Sequence, residues 1–358
     1  MKTPQKDFAL QLIQWYNTHK RALPWRTTRD PYCIWLSEII MQQTQVAQGL
    51  PYYNRFLKAY PNVFALANAS EDEVLKLWQG LGYYSRARNL HATSKYVATK
   101  LGGKFPTTYK DLKSLKGVGD YTASAIASIC FKLPHAVVDG NVYRVLSRFF
   151  GNDTPIDTTA GQKVFKALAS ELLDHEQPGI YNQALMEFGA RQCKPAKPNC
   201  EVCIFSSVCV AFQTNTVSKL PIKARKIKVK TRYLNYLVFL DGKNTLLKKR
   251  TEKGIWLHLY EFPLVESTQL LTKETLLNAI LALNINALKN VNDINSTFSK
   301  INKDPVLHKL THQHLYINFW KIRVPFKLKE GIAYSALKKY PKPVVLENFI
   351  ESYSVFHE

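Results

Sequence analysis

Four of the chain's six cysteines fall between Cys193 and Cys209, in the pattern C-x6-C-x2-C-x5-C. Four thiols so close together suit a shared metal site, and four sulfur donors fit either Zn²⁺ or an iron–sulfur cluster. Spacing leaves that choice open, although zinc ribbons more often carry two C-x2-C pairs and only Cys200/Cys203 form one here. Cys33 and Cys130 stand alone in apolar surroundings and read as core residues. Six cysteines in 358 residues are too sparse for a disulfide scaffold, as expected for a reducing compartment.

Upstream of this cluster the texture is helical. From Phe8 to about Phe212 apolar residues recur every three or four positions, and the breaks fall at Pro24, Pro31, Pro51, Pro61, Pro106, Pro134 and Pro155. The stretch Ser218–Arg232, SKLPIKARKIKVKTR, has seven Lys/Arg and no acid, which reads as an exposed linker. Beyond it, Tyr233–Leu240, Asp241-Gly242 and Thr245–Lys249 read as a β-hairpin. Leu315–Val324 alternates as a further strand, and a helix is expected around Lys273–Leu283. The expected organisation is an all-α region over 1–215, a basic linker over 216–232, and a smaller α+β domain over 233–358.

The net charge is +22, which points to a partner with an acidic surface, and nucleic acid fits better than membrane. No apolar run reaches the roughly 18 residues of a membrane span. The first residues alternate apolar and polar as an amphipathic helix does, unlike a secretory signal. A soluble, intracellular protein with no membrane partner is therefore expected; it is also expected to be a cytoplasmic, nucleoid-associated monomer.

Three local patterns carry chemistry. Leu115-Lys116-Gly117-Val118-Gly119-Asp120-Tyr121 is a glycine turn between helical stretches, the pattern of a helix-hairpin-helix. Its bare N–H groups at Gly117, Val118 and Gly119, with the following helix dipole, suit a DNA phosphate. Glu38 stands within the apolar run Trp35–Met41. It is either an exposed helix position or a desolvated carboxyl whose raised pKa lets it act as a general acid. Gln43 and Thr44 follow it as neutral polar groups able to meet base edges. Asp139, after Ala136–Val138 and before Gly140-Asn141, is either a helix cap or the second carboxylate of a glycoside-type cleavage.

Taken in order, LPWR (23–26), WLSEIIMQQTQV (35–46), LWQGLGYYSRARNL (77–90), LKGVGDYTA (115–123), VDGNVYRVLSR (138–148) and the four cysteines resemble the helix-hairpin-helix DNA glycosylase superfamily. Within it the chain is similar to adenine-specific mismatch glycosylases of the MutY type. GIWLHLYEFP (254–263) resembles that family's Nudix-like C-terminal domain. The resemblance implies one [4Fe–4S] cluster on Cys193, Cys200, Cys203 and Cys209. It implies excision of adenine mispaired with 8-oxoguanine or guanine in double-stranded DNA, leaving an abasic site. Glu38 matches the general acid and Asp139 the stabiliser of the oxocarbenium ion, with Asn141 orienting Asp139. Gln43 and Tyr83 match the residues that fill and wedge the stack, and Arg26 and Gln183 those that bond the flipped adenine. Tyr121 occupies the place where strand-cutting relatives carry a Schiff-base lysine, so the enzyme is expected to be monofunctional.

One stretch departs from the family pattern. Leu310-Thr311-His312 stands where relatives commonly carry Phe-Ser-His on the lesion-reading loop, keeping the hydroxyl but losing the aromatic ring. Alternative readings are an endonuclease III-like pyrimidine glycosylase/lyase, a non-catalytic iron–sulfur DNA-binding protein, and a Nudix pyrophosphohydrolase. Tyr121 and the C-terminal domain argue against the first, and the joint presence of Glu38 and Asp139 against the second. The third lacks its R-E-x-x-E-E glutamates between Gly254 and Ile285.

Overall fold

Helix boundaries in the computed structural model follow the prolines and the capping residues. The structure describes residues 4–224, 229–282 and 298–357; Arg225–Lys228 of the expected linker and Leu283 of the expected helix lie outside them. The Pro31–Met41 helix shows the local logic. Pro31 supplies a preset φ at its first position, and the Asp30 carboxylate accepts from the Tyr32 amide. Tyr32 and every residue from Ile34 to Ile40 are buried. A helix apolar all round must lie inside the protein, and this one packs against Asp120–Phe131, whose residues Thr122–Ile129 are all buried. Shortening the fully buried Trp35 to alanine would cost about 3–5 kcal/mol.

The chain divides into two compact units. The first comprises residues 1–69 and 89–226, and its described residues form helices joined by turns and loops, with no strand. Pro178–Arg191 packs against Pro4–His19, Asp120–Phe131 and Gly140–Phe150 and so forms its spine. The second unit comprises 70–88 as well as 227–358. The short helix Glu71–Trp78, capped by a Ser70/Glu73 capping box, is thus built into the α+β part. Asp72 accepts from Lys249 Nζ (2.6 Å) and Tyr260 Oη (3.0 Å), Glu71 meets His258 Nδ1 (2.6 Å), and Arg88 Nη1 donates to the Leu257 carbonyl (2.8 Å). The expected split placed 70–88 with the helical region. Local periodicity shows that Glu71–Trp78 is a helix but not which core receives its apolar face.

The expected hairpin of 233–240 with 245–249 does not form. Lys230–Leu240 runs parallel to Gln313–Arg323 and antiparallel to Leu264–Ser267. Its residues Leu234–Leu240 are all buried, so the strand is covered on both faces, as a central strand must be. The Asp241-Gly242 turn is real, with the Asp241 amide donating to Asn244, but Asn244–Thr245 then pairs with Ile332–Ala333. Exposed Lys248 and Lys249 make a poor neighbour for a fully buried strand. The strand expected over 315–324 is found as Gln313–Arg323, and Lys273–Ala282 is helical. No helix among the described residues is long and apolar enough to cross a membrane.

Candidate active site

Glu38 and Asp139 come together in the first unit. Glu38, on a helix buried on every side, is 8% exposed. Burial pushes its carboxyl up to about 7, further raised by the charge of Asp139 and partly offset by a hydrogen bond from Tyr121. The Tyr121 hydroxyl also lies 3.3 Å from Met186 Sδ. The half-buried phenol, desolvated and next to Glu38, is held well above its ordinary range and so stays a neutral donor.

Asp139 is the N-cap of the Gly140–Phe150 helix, with Oδ1 accepting from the Val142 amide at 2.8 Å. Its Oδ2 accepts from Asn141 Nδ2, also at 2.8 Å. Asp139 is therefore a helix cap, and the same carboxyl group lies close enough to Glu38 for its charge to be felt there. Burial raises the Asp139 pKa, and the donors from Val142 and Asn141 work against that by favouring the charged form. Arg144, one turn on, donates to Asn141 Oδ1 (2.8 Å), the Gly189 carbonyl (2.6 Å) and the Cys193 carbonyl (2.7 Å). Gly189 has no room for a side chain, because a Cβ there would lie 2.7 Å from that of Asn141.

All four clustered cysteines line a single cavity, together with Arg148, Phe149, Phe188 and Phe205. Arg148 Nη1 points at Cys193 Sγ (3.5 Å) and the same guanidinium donates to the Lys194, Pro195 and Leu220 carbonyls. Four sulfurs facing one apolar cavity beside a fixed cation suit a thiolate-held group. Among the described residues, no three His, Cys, Asp or Glu side chains are gathered around a single-ion site.

The helix-hairpin-helix turn is present between Tyr109–Ser114 and Asp120–Phe131. Gly117 has φ +80°, and a Cβ there would press on Asn89 at 2.7 Å. Val118 is buried and its amide is spent on Leu115, whereas Gly119 is the helix N-cap with no side-chain cap. Gln43 is exposed and left-handed (φ +53°). Thr44 is half-buried beside Gln42, which reaches Thr122.

Arg26 and Gln183 line one cavity of about 610 Å³ that Glu38 and Asp139 do not line. Gln183 stands one turn before Met186, the partner of Tyr121, on Pro178–Arg191. Arg26 donates to the buried Glu187 (2.6 Å), which Arg21 also holds; burial would raise the Glu187 pKa, but the two arginines outweigh it and hold it at about 2. Sequence reasoning passed over Glu187, Arg144 and Arg148. The spacing of the two arginines, four residues apart on one helix, was the available signal.

In the second unit, Thr311 and His312 form the exposed two-residue turn between Val306–Leu310 and Gln313–Arg323. The Thr311 hydroxyl lies 2.5 Å from that of Tyr83. Tyr83 is 47% exposed and left-handed (φ +47°). Arg86 steadies its turn by donating to the Leu81 and Gly82 carbonyls.

Residues 36–170 match the HhH-GPD superfamily of base excision DNA repair proteins, and residues 235–352 match a NUDIX domain. An adenine DNA glycosylase of Buchnera aphidicola subsp. Baizongia pistaciae is 35% identical over 87% of this chain and 84% of its own length. The chain belongs to the adenine DNA glycosylase family. The Homo sapiens adenine DNA glycosylase is 45% identical to this member over 58% of the chain and 39% of the human protein. Among solved structures, a thermostable thymine-DNA glycosylase superposes with TM-score 0.54 at 31% identity, covering 59% of this chain and 97% of that one. An endonuclease III bound non-covalently to DNA shares the fold of the helical unit, with TM-score 0.51 and 23% identity.

Proposed function

We propose that this adenine DNA glycosylase flips adenine out of an A·8-oxoguanine or A·G mispair in double-stranded DNA and hydrolyses its N-glycosidic bond, leaving an abasic site. The observation that carries the reading is Glu38, a buried carboxyl with a pKa near 7 beside a second carboxylate. A base within a duplex is out of reach of any side chain, so extrusion comes first, at a cost of a few kcal/mol. Adenine leaves poorly as an anion. Glu38, still protonated near neutrality, donates its proton to the base so that a neutral purine departs.

As the bond breaks, C1′ gains positive charge, and Asp139, whose charged form its Val142 and Asn141 donors favour, stabilises it. Glu38, now deprotonated, takes a proton from the attacking water. Tyr121 has no amine with which to form a Schiff base, so the strand is not cut and the enzyme is monofunctional. Arg26 and Gln183 bond the extruded adenine. Gln43 and Tyr83 fill and wedge the gap, and Thr311 and His312 read the opposite base. The Gly117 and Gly119 amides of the hairpin receive a phosphate, which positions the protein without reading sequence.

Cys193, Cys200, Cys203 and Cys209 would hold one [4Fe–4S] cluster, which supplies a folded, DNA-facing segment and not the cleavage. The protein works as a monomer in the cytoplasm, on the nucleoid. Single-turnover base release from duplexes carrying adenine opposite 8-oxoguanine, guanine, cytosine and thymine tests the reading. Release confined to the first two supports it, and release of thymine or a pyrimidine instead overturns it.

A further inference from the structure

Tyr16 belongs to the first helix, and its hydroxyl donates to Gln183 Oε1 at 2.8 Å, across 167 residues of sequence. The ring is buried at 3% exposure. Two cations flank it: the Arg26 guanidinium lies 5.3 Å and Lys20 Nζ 5.4 Å from its centroid. The phenol hydroxyl is the donor, and of the two ends of an amide only the carbonyl accepts. The contact is therefore polar in one sense. It holds the Gln183 carbonyl toward the phenol and thereby fixes which way round the amide sits.

We infer that Tyr16 is a positioning residue that sets purine specificity through the Gln183 amide it holds. This deepens the reading of Gln183 as a contact to the extruded base and rests on it. The chemistry concerns hydrogen-bond sense. Adenine presents a donor at N6 and an acceptor at N1; hypoxanthine, of nearly the same shape, presents an acceptor at O6 and a donor at N1. A pinned amide matches one of these patterns. An amide free to turn over matches either, and discrimination between bases that differ only in this sense is then lost. The Arg26 guanidinium is already held by Glu187 and the Arg21 carbonyl, which leaves the discrimination to the amide.

The test is a double-mutant cycle on the full-length protein, measuring single-turnover release of adenine and of hypoxanthine opposite 8-oxoguanine. Tyr16→Phe keeps the buried ring and removes only the hydroxyl. The adenine-to-hypoxanthine rate ratio should fall, by up to about tenfold for one hydrogen bond, while duplex binding is unchanged. Gln183→Ala should lower the same ratio, and adding Tyr16→Phe to it should change nothing further, because the two residues act as one. A merely structural role for Tyr16 predicts that both rates fall together at constant ratio, and that result overturns the inference. If Tyr16→Phe lowers the ratio equally in the Gln183→Ala background, the hydroxyl acts elsewhere and the inference also fails. Failure of the underlying reading looks different: wild-type protein releases no adenine, or Gln183→Ala leaves the ratio untouched.

Discussion

Asn141 Nδ2 donates to Asp139 Oδ2 at 2.8 Å while its own Oδ1 is held by Arg144. The amide of Asn141 is thus fixed at both ends, and the carboxylate it serves cannot rotate away from its helix cap. Asn141→Ala leaves one oxygen of Asp139 without its donor and removes a force that keeps the group ionised. A hydrogen bond to a charged group contributes about 1.5–3 kcal/mol, so adenine release should slow roughly 10- to 100-fold. A single-turnover rate equal to wild type would show that Asp139 needs no such orientation.

Glu38 must carry its proton to act as the acid, so the rate of base release should fall as pH rises through about 7. Glu38→Gln should abolish release at every pH and leave duplex binding nearly intact. Stability should also fall as pH rises. The carboxyl ionises near 4.5 in the unfolded chain and near 7 in the fold, so its burial costs nothing below about 4.5, costs progressively more between 4.5 and 7, and stays constant above. Glu38→Gln should therefore be close to neutral at pH 4 and stabilising by up to about 3 kcal/mol at pH 8. Urea unfolding at both pH values measures the difference; an equal effect at pH 4 and pH 8 would refute the desolvated carboxyl.

Protein purified without oxygen should be brown and contain close to four irons per chain, as four thiols around one cavity suggest. Stoichiometric zinc without iron would assign the cavity to a single ion. Arg148→Gln removes the guanidinium from Cys193 and three carbonyl contacts of the same segment, and iron should be lost faster to a chelator.

Thr311→Ala removes one hydroxyl from an exposed turn. Release of adenine opposite 8-oxoguanine should slow by about tenfold at most, with release opposite guanine much less affected. Equal slowing in both contexts would make the turn a general DNA contact.

Much of this was legible in the sequence. Glu38 in an apolar run left two readings, an exposed position or a desolvated carboxyl, and a helix buried on nearly every side decides for the second. The glycine hairpin and the cysteines read from spacing. Strand pairing did not, since Asp241-Gly242 marks a turn but cannot say which strand comes next to Lys230–Leu240. Nor did the network through Arg144, whose partners lie 3 residues away at Asn141 and 49 away at Cys193. Such long-range partners are chosen by helix packing.

Because Ser70–Arg88 is held by Lys249, His258 and Tyr260, the unit that carries Tyr83 and Thr311 is written in two separate stretches of the gene. A single recombination crossover at the linker would join the loop of one parent to the sheet of another. Where Asp72 or Glu71 then met residues other than Lys249 and His258, the hybrid would inherit a mismatched unit even though each half was intact. Domain exchange between relatives should succeed only when 70–88 travels with everything after the linker.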